Sequence, residues 1–158
     1  MKNSRKTHWD DGYSRKTPDQ VSWTQAVPQT SLDFIHGFGL PKSSSIIDIG
    51  GGDSNLVDFL LQEGYQNITV LDISAVAIQK AKARLRHQSE LVNWVVSDIT
   101  EFKTDEHFDL WHDRATFHFL TQESQIATYL KIAGDTSIIL WSSAHFQKMV
   151  RTNAADYR

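Results

Sequence analysis

From Ser43 onward the chain alternates short apolar runs with helix-like segments, and this alternation leaves few folds open to it. Ser45-Ile46-Ile47-Asp48-Ile49 reads as a buried strand and Gly50-Gly51-Gly52-Asp53 as a tight loop. Residues 54–62 follow as a helix with Leu56, Val57, Leu60 and Leu61 on one face, closed by Gly64. Residues 68–71, 92–96, 108–112 and 137–141 supply four more strands. Between them, Ser74 caps a helix that turns Ile78, Ala81 and Leu85 inward. Residues 122–133 form another with Ile126, Tyr129 and Leu130 on one side and Gly134 as its stop. Nearly continuous apolar strands separated by helices predict an α/β fold with a doubly wound, mostly parallel sheet covered on both faces.

Ahead of this core, Thr30 or Ser31 is expected to cap a helix carrying Leu32, Ile35 and Phe38, ended by Gly39 and Pro41. Residues 1–29 carry Trp9, Tyr13 and Trp23 on a polar background with no clean periodicity. The expected organisation is a leader or lid segment, residues 1–29, on a single domain, residues 30–158. The absence of cysteine excludes disulfides, thiolate metal sites and cysteine nucleophiles. A formal net charge of −3 gives no electrostatic footprint for nucleic acid or an anionic membrane. With no secretory h-region and no apolar run near the length of a span, a cytoplasmic protein is expected.

The Asp48–Ser54 turn joins a strand to a helix, where a doubly wound sheet opens its ligand crevice. Asp72 ends the next strand, 20 residues beyond Gly52, placed to accept hydrogen bonds from ribose hydroxyls. These two features suit a nicotinamide dinucleotide or S-adenosylmethionine (SAM). Asn55 stands where the dinucleotide pattern needs its last glycine. Asp48 would repel a pyrophosphate but would favour the ammonium and sulfonium of SAM. Asp98, after the third strand, can meet an adenine amino group. Three acids ending three consecutive strands favour SAM as the cofactor.

On these residues the sequence resembles the class I SAM-dependent methyltransferases. Asp48-x-Gly50-x-Gly52 is similar to their first motif, with Ser54 in place of its last glycine. Asp72 matches the ribose acid, Asp98-Ile99 the adenine-contacting pair, and Phe108–Arg114 the fourth-strand motif beside the transferred methyl. His8–Tyr13 and Val21–Gln25 resemble the leader of a subgroup distantly similar to lysine methyltransferases of translation elongation factors. The resemblance implies methyl transfer to an unidentified small-molecule or protein acceptor. The alternative is a non-catalytic SAM-binding remnant. Cofactor-binding residues are expected to be Asp48, Gly50, Gly51, Gly52, Asp72, Ile73, Asp98 and Ile99, with Trp23 as an aromatic lid. His112, Asp113 and Arg114 are expected near the methyl, with neither a catalytic triad nor a metal.

Only 16 residues follow Ser142. The chain therefore reads as a C-terminally shortened, Rossmann-like methyltransferase core lacking a normal sixth- and seventh-strand hairpin. Residues 145–150 are expected to form a helical turn, leaving the strand at 137–141 as an exposed edge that invites self-association.

Overall fold

The computed structural model describes residues 2–16, 24–142 and 146–150. Six strands form one sheet: β1 (Ser45–Ile49), β2 (Asn67–Asp72), β3 (Val92–Val96), β4 (Phe108–Asp113), β5 (Ser137–Ser142) and β6 (Phe146–Val150). Their spatial order is β3-β2-β1-β4-β5-β6. The first five are parallel, and β6 runs antiparallel to β5. The expected doubly wound parallel core is present.

Side chains alternate across the pleat and divide the core in two. Ile46, Ile68, Val70 and Leu110 pack against α2 (Gln29–Gly37), α3 (Leu56–Gln62) and Leu85 of α4 (Ala75–Leu85). Ile47, Ile49, Leu71 and Trp111 face the other way, against Tyr129 and Ala133 of α5 (Glu123–Thr136). Ser74 caps α4 as expected, accepting a bond from the Ala77 amide at 3.2 Å.

Three expectations are corrected. The segment ahead of Thr30 contains a helix, α1 (Lys2–Arg15), which packs against α4. It is held by the (i, i+4) ion pairs Lys6–Asp10 and Asp11–Arg15 and by partners outside the helix. Helix α5 does not stop at Gly134 but runs on to Thr136. Burying Ala133 and Tyr129 and pairing Lys131 with Asp135 outweigh the roughly 1 kcal/mol that a helical glycine costs. Residues 146–150 are a strand, so β6 occupies the edge of β5 that was expected to lie open; Ile139 pairs with Val150 and Leu140 with Met149. Self-association through that edge loses its ground. The expected helical turn began at His145, which lies outside the described residues.

Candidate functional site

The carboxyl ends of β1 to β4 open into a cleft, and the loop after β1 forms its floor. Gly50 donates its amide to Leu71 O at 2.7 Å, which binds this loop to β2. Gly50 and Gly52 adopt φ of +66° and +44°, a left-handed backbone that L side chains rarely enter. A Cβ on Gly52 would also stand 2.7 Å from Asp72 Oδ2 and 2.9 Å from the Tyr13 hydroxyl. The far side of the loop is clamped by Arg84 of α4. Its guanidinium donates to Asp53, to Ser54 O at 2.9 Å and to Asp58 Oδ2 at 2.8 Å.

Three carboxylates stand in strand order along the cleft. Asp48 is the last residue but one of β1 and Asp72 ends β2, both buried, and Asp98 follows β3. Burial lifts the Asp72 carboxyl to about 7, and repulsion from Asp48 and Asp10 adds to it. The Ser74 amide, 2.8 Å from Oδ1, opposes the rise. Asp98 accepts from the Thr100 amide at 2.9 Å and hydroxyl at 2.8 Å.

Helix α1 lies across these acids. Arg5 pairs with Asp98 at 2.7 Å, and Asp10 accepts from the Ser74 hydroxyl at 2.6 Å. Lys80 donates to the carbonyls of Tyr13 and Lys16. Arg5, Trp9, Tyr13 and Lys16 all line the cleft. This stripe was readable in the sequence as an (i, i+4, i+8) series, but the polar background hid it. Trp9 packs edge-to-face on Phe119 with centroids 4.9 Å apart.

Of the residues expected near the methyl, His112 and Arg114 line the cleft, and Asp113 does not. Neighbours along a strand point to opposite faces, so Asp113 follows Trp111 rather than His112. It accepts from the Thr116 amide at 2.7 Å, the Phe117 amide at 3.1 Å and the Tyr129 hydroxyl at 2.6 Å. Burial raises its carboxyl to about 6, while the Tyr129 hydrogen bond resists the rise. His112 is the register partner of Asp48 across β1 and β4. Its Nδ1 lies 2.7 Å from Asp48 Oδ1, and its Nε2 lies 2.9 Å from Ser31 Oγ. Arg114 donates to Gln25 at 3.0 Å. Ile73 and Ile99 line the cleft with Gly50 and Gly51, and Gly52 sits behind Asp72 and Tyr13. Trp23 lies outside the described residues. Among the described residues no cluster of acids and histidines could hold a metal, and no helix is long and apolar enough to cross a membrane.

Residues 46–134 match the family of methyltransferase domains. The chain belongs to that family. A malonyl-[acyl-carrier protein] O-methyltransferase of Anoxybacillus flavithermus is 34% identical over 102 residues, covering 63% of this chain and 38% of that protein. An eEF1A lysine and N-terminal methyltransferase of Mus musculus is 26% identical over 121 residues, covering 75% of this chain and 17% of that protein. The methyltransferase domain thus spans less than half the length of these relatives. Among solved structures, the N-methyltransferase NodS of Bradyrhizobium japonicum in complex with S-adenosylhomocysteine superposes with a TM-score of 0.70 at 20% identity. That match covers 84% of this chain and 71% of NodS, and it shows the shared fold.

The cofactor that goes with this family is SAM, and the donor set of the cleft fits it. A glycine loop gives close backbone approach, a buried carboxylate stands where ribose hydroxyls can donate, and the acids suit a cation.

Proposed function

We propose that this chain binds SAM along the ends of β1, β2 and β3 and transfers its methyl group to a small-molecule or protein acceptor at the end of β4. The observation that carries the reading is the row of Asp48, Asp72 and Asp98 at the carboxyl ends of three neighbouring strands, in one glycine-floored cleft. Asp72 holds the ribose hydroxyls, Asp98 and Ile99 meet the adenine, and Ile73 packs beside them. Gly50, Gly51, Gly52 and Asp48 receive the cationic end. When bound, SAM supplies an electrophilic methyl on a sulfonium leaving group.

The chain's own residues then supply alignment and exclusion of water. Residues 1–29 act as the lid over residues 30–158, a reading supported by the α1 residues that line the cleft. His112 and Arg114 border the acceptor, while Asp113 acts through the turn it holds at Thr116 and Phe117. Both kinds of acceptor stay within the reading, since the relatives carry names with an acyl-carrier-bound malonyl group and an elongation factor.

Calorimetry with SAM, S-adenosylhomocysteine and NAD tests the cofactor, and radiolabelled methyl transfer into a cell lysate tests the reaction. Binding of NAD in preference to SAM sinks the reading. Tight SAM binding with no labelled product in any lysate fraction limits the chain to cofactor binding.

A further inference from the structure

Ser31 of α2, His112 of β4 and Asp48 of β1 form one hydrogen-bonded line at 2.9 and 2.7 Å. They are 1%, 2% and 4% exposed, yet all three border the cleft. A carboxylate can only accept, so the His112 proton shared with Asp48 resides on Nδ1. In the neutral ring the Nε2 lone pair then faces Ser31, whose hydroxyl must donate to it. The Ser31 oxygen keeps lone pairs for a further donor. A serine, a histidine and a carboxylate in this sequence of bonds can pass a proton inward and hold the resulting imidazolium beside an anion.

The line also stands in the right place along the sheet. In the order β3-β2-β1-β4, Asp98 and Asp72 take the first two positions, and Asp48 and His112 the next two. A ligand whose adenine and ribose sit at β3 and β2 brings its other end to β1 and β4. The charged groups around His112 are Asp48 from β1 on its own face, Asp113 beside it in β4 but on the opposite face, Arg114 just after the strand, and Asp72 beyond Asp48. Ser31 is its neighbour from α2.

We infer that Ser31, His112 and Asp48 are a proton relay for the methyl acceptor, and that the acceptor is an amine or a hydroxyl rather than a carboxylate. The inference rests on the reading of the cleft as a SAM site. As the acceptor's nitrogen or oxygen bonds to the methyl carbon, the methyl–sulfur bond breaks and its electron pair stays on the departing thioether. The acceptor's N–H or O–H proton passes to Ser31 Oγ, and the Ser31 proton passes to Nε2 of His112. A carboxylate acceptor carries no such proton and would have no use for the relay.

The test uses the full chain labelled with 15N-histidine, with His112→Gln to assign the resonances. Without cofactor, neutral His112 is expected to carry its proton on Nδ1, leaving Nε2 to accept from the Ser31 hydroxyl. A neutral form protonated on Nε2 overturns the relay. The second readout is the chemistry of the label that radioactive SAM leaves in lysate components. Methyl groups on amines and hydroxyls withstand mild alkali, whereas methyl esters release methanol. Mainly alkali-labile label sinks the relay and leaves methyl transfer standing; failure to bind SAM in calorimetry sinks the cleft reading instead. Ser31→Ala is expected to slow incorporation on the order of a hundredfold with SAM affinity unchanged, and Ser31→Thr to restore part of the rate.

Discussion

Arg5 on α1 and Asp98 after β3 form an ion pair of 2.7 Å, so the leading helix holds the acid expected to meet the adenine. Both side chains keep some solvent, 37% and 16% exposed, and such a pair contributes less than about 1 kcal/mol. Arg5→Ala is therefore expected to lower the Tm by no more than about 4 °C. It should speed SAM entry and exit together by roughly two- to fivefold. Stopped-flow tryptophan fluorescence reads both rates through Trp9. Unchanged rates would show that α1 does not govern access.

Asp72 is held near pH 7 in the fold, against an ordinary value of 3.8. The folded chain therefore binds more protons than the unfolded chain between these values, and stability falls as pH rises from about 4 to about 7, then levels. Asp72→Asn should remove most of that slope and raise the Tm at pH 8. The same change deprives the ribose hydroxyls of a charged acceptor and should weaken SAM binding about tenfold or more. A variant that is stabilised yet binds SAM as before removes Asp72 from the site.

Arg84 bonds two carboxylates and two backbone carbonyls around Asp53 and Ser54, so the glycine loop is braced from outside the cleft. Arg84→Lys keeps the charge but loses the planar fork. It is expected to cost about 1 kcal/mol in urea unfolding and to weaken SAM binding several-fold. Equal affinity in the two proteins would mean that the loop needs no brace.

The core strands and the acids that end them were legible because a parallel sheet writes nearly continuous apolar runs and turns glycine-rich at its ligand-bearing end. Asp48, Asp72 and Asp98 came from that spacing alone. Ser31 was expected to cap a helix, but α2 begins at Gln29 behind Pro28 and Ser31 lies inside it; nothing local marks a serine that bonds a histidine 81 residues away. Asp113 misled for the opposite reason: it adjoins His112 in sequence, and the period of two in a strand sends it to the other face. Helix α1 stayed hidden because it has no apolar face of its own and, beyond its local ion pairs, is held by Asp98, Ser74 and Lys80, all distant in sequence.

The Trp111–Tyr129–Asp113 chain is where a single substitution separates structure from chemistry. Trp111 Nε1 donates to the Tyr129 hydroxyl at 2.9 Å, and that hydroxyl donates to Asp113 at 2.6 Å. Tyr129→Phe removes one donor from a fully buried carboxyl whose value is already raised to about 6. The carboxyl should rise further, which deepens the loss of stability as pH climbs from about 4 through its folded value. At pH 8 the cost is expected to be about 1–3 kcal/mol, because an ionised buried acid has lost a partner. At pH 5 it should be smaller, since Asp113 is then protonated and the bond it loses is a neutral one rather than one to a charge. Adding Asp113→Asn should erase the difference between the two pH values. SAM affinity should stay within about threefold throughout, because the chain lies on the face of the sheet opposite His112 and Asp48. Equal costs at pH 5 and pH 8 would show that Tyr129 does not stabilise the Asp113 charge.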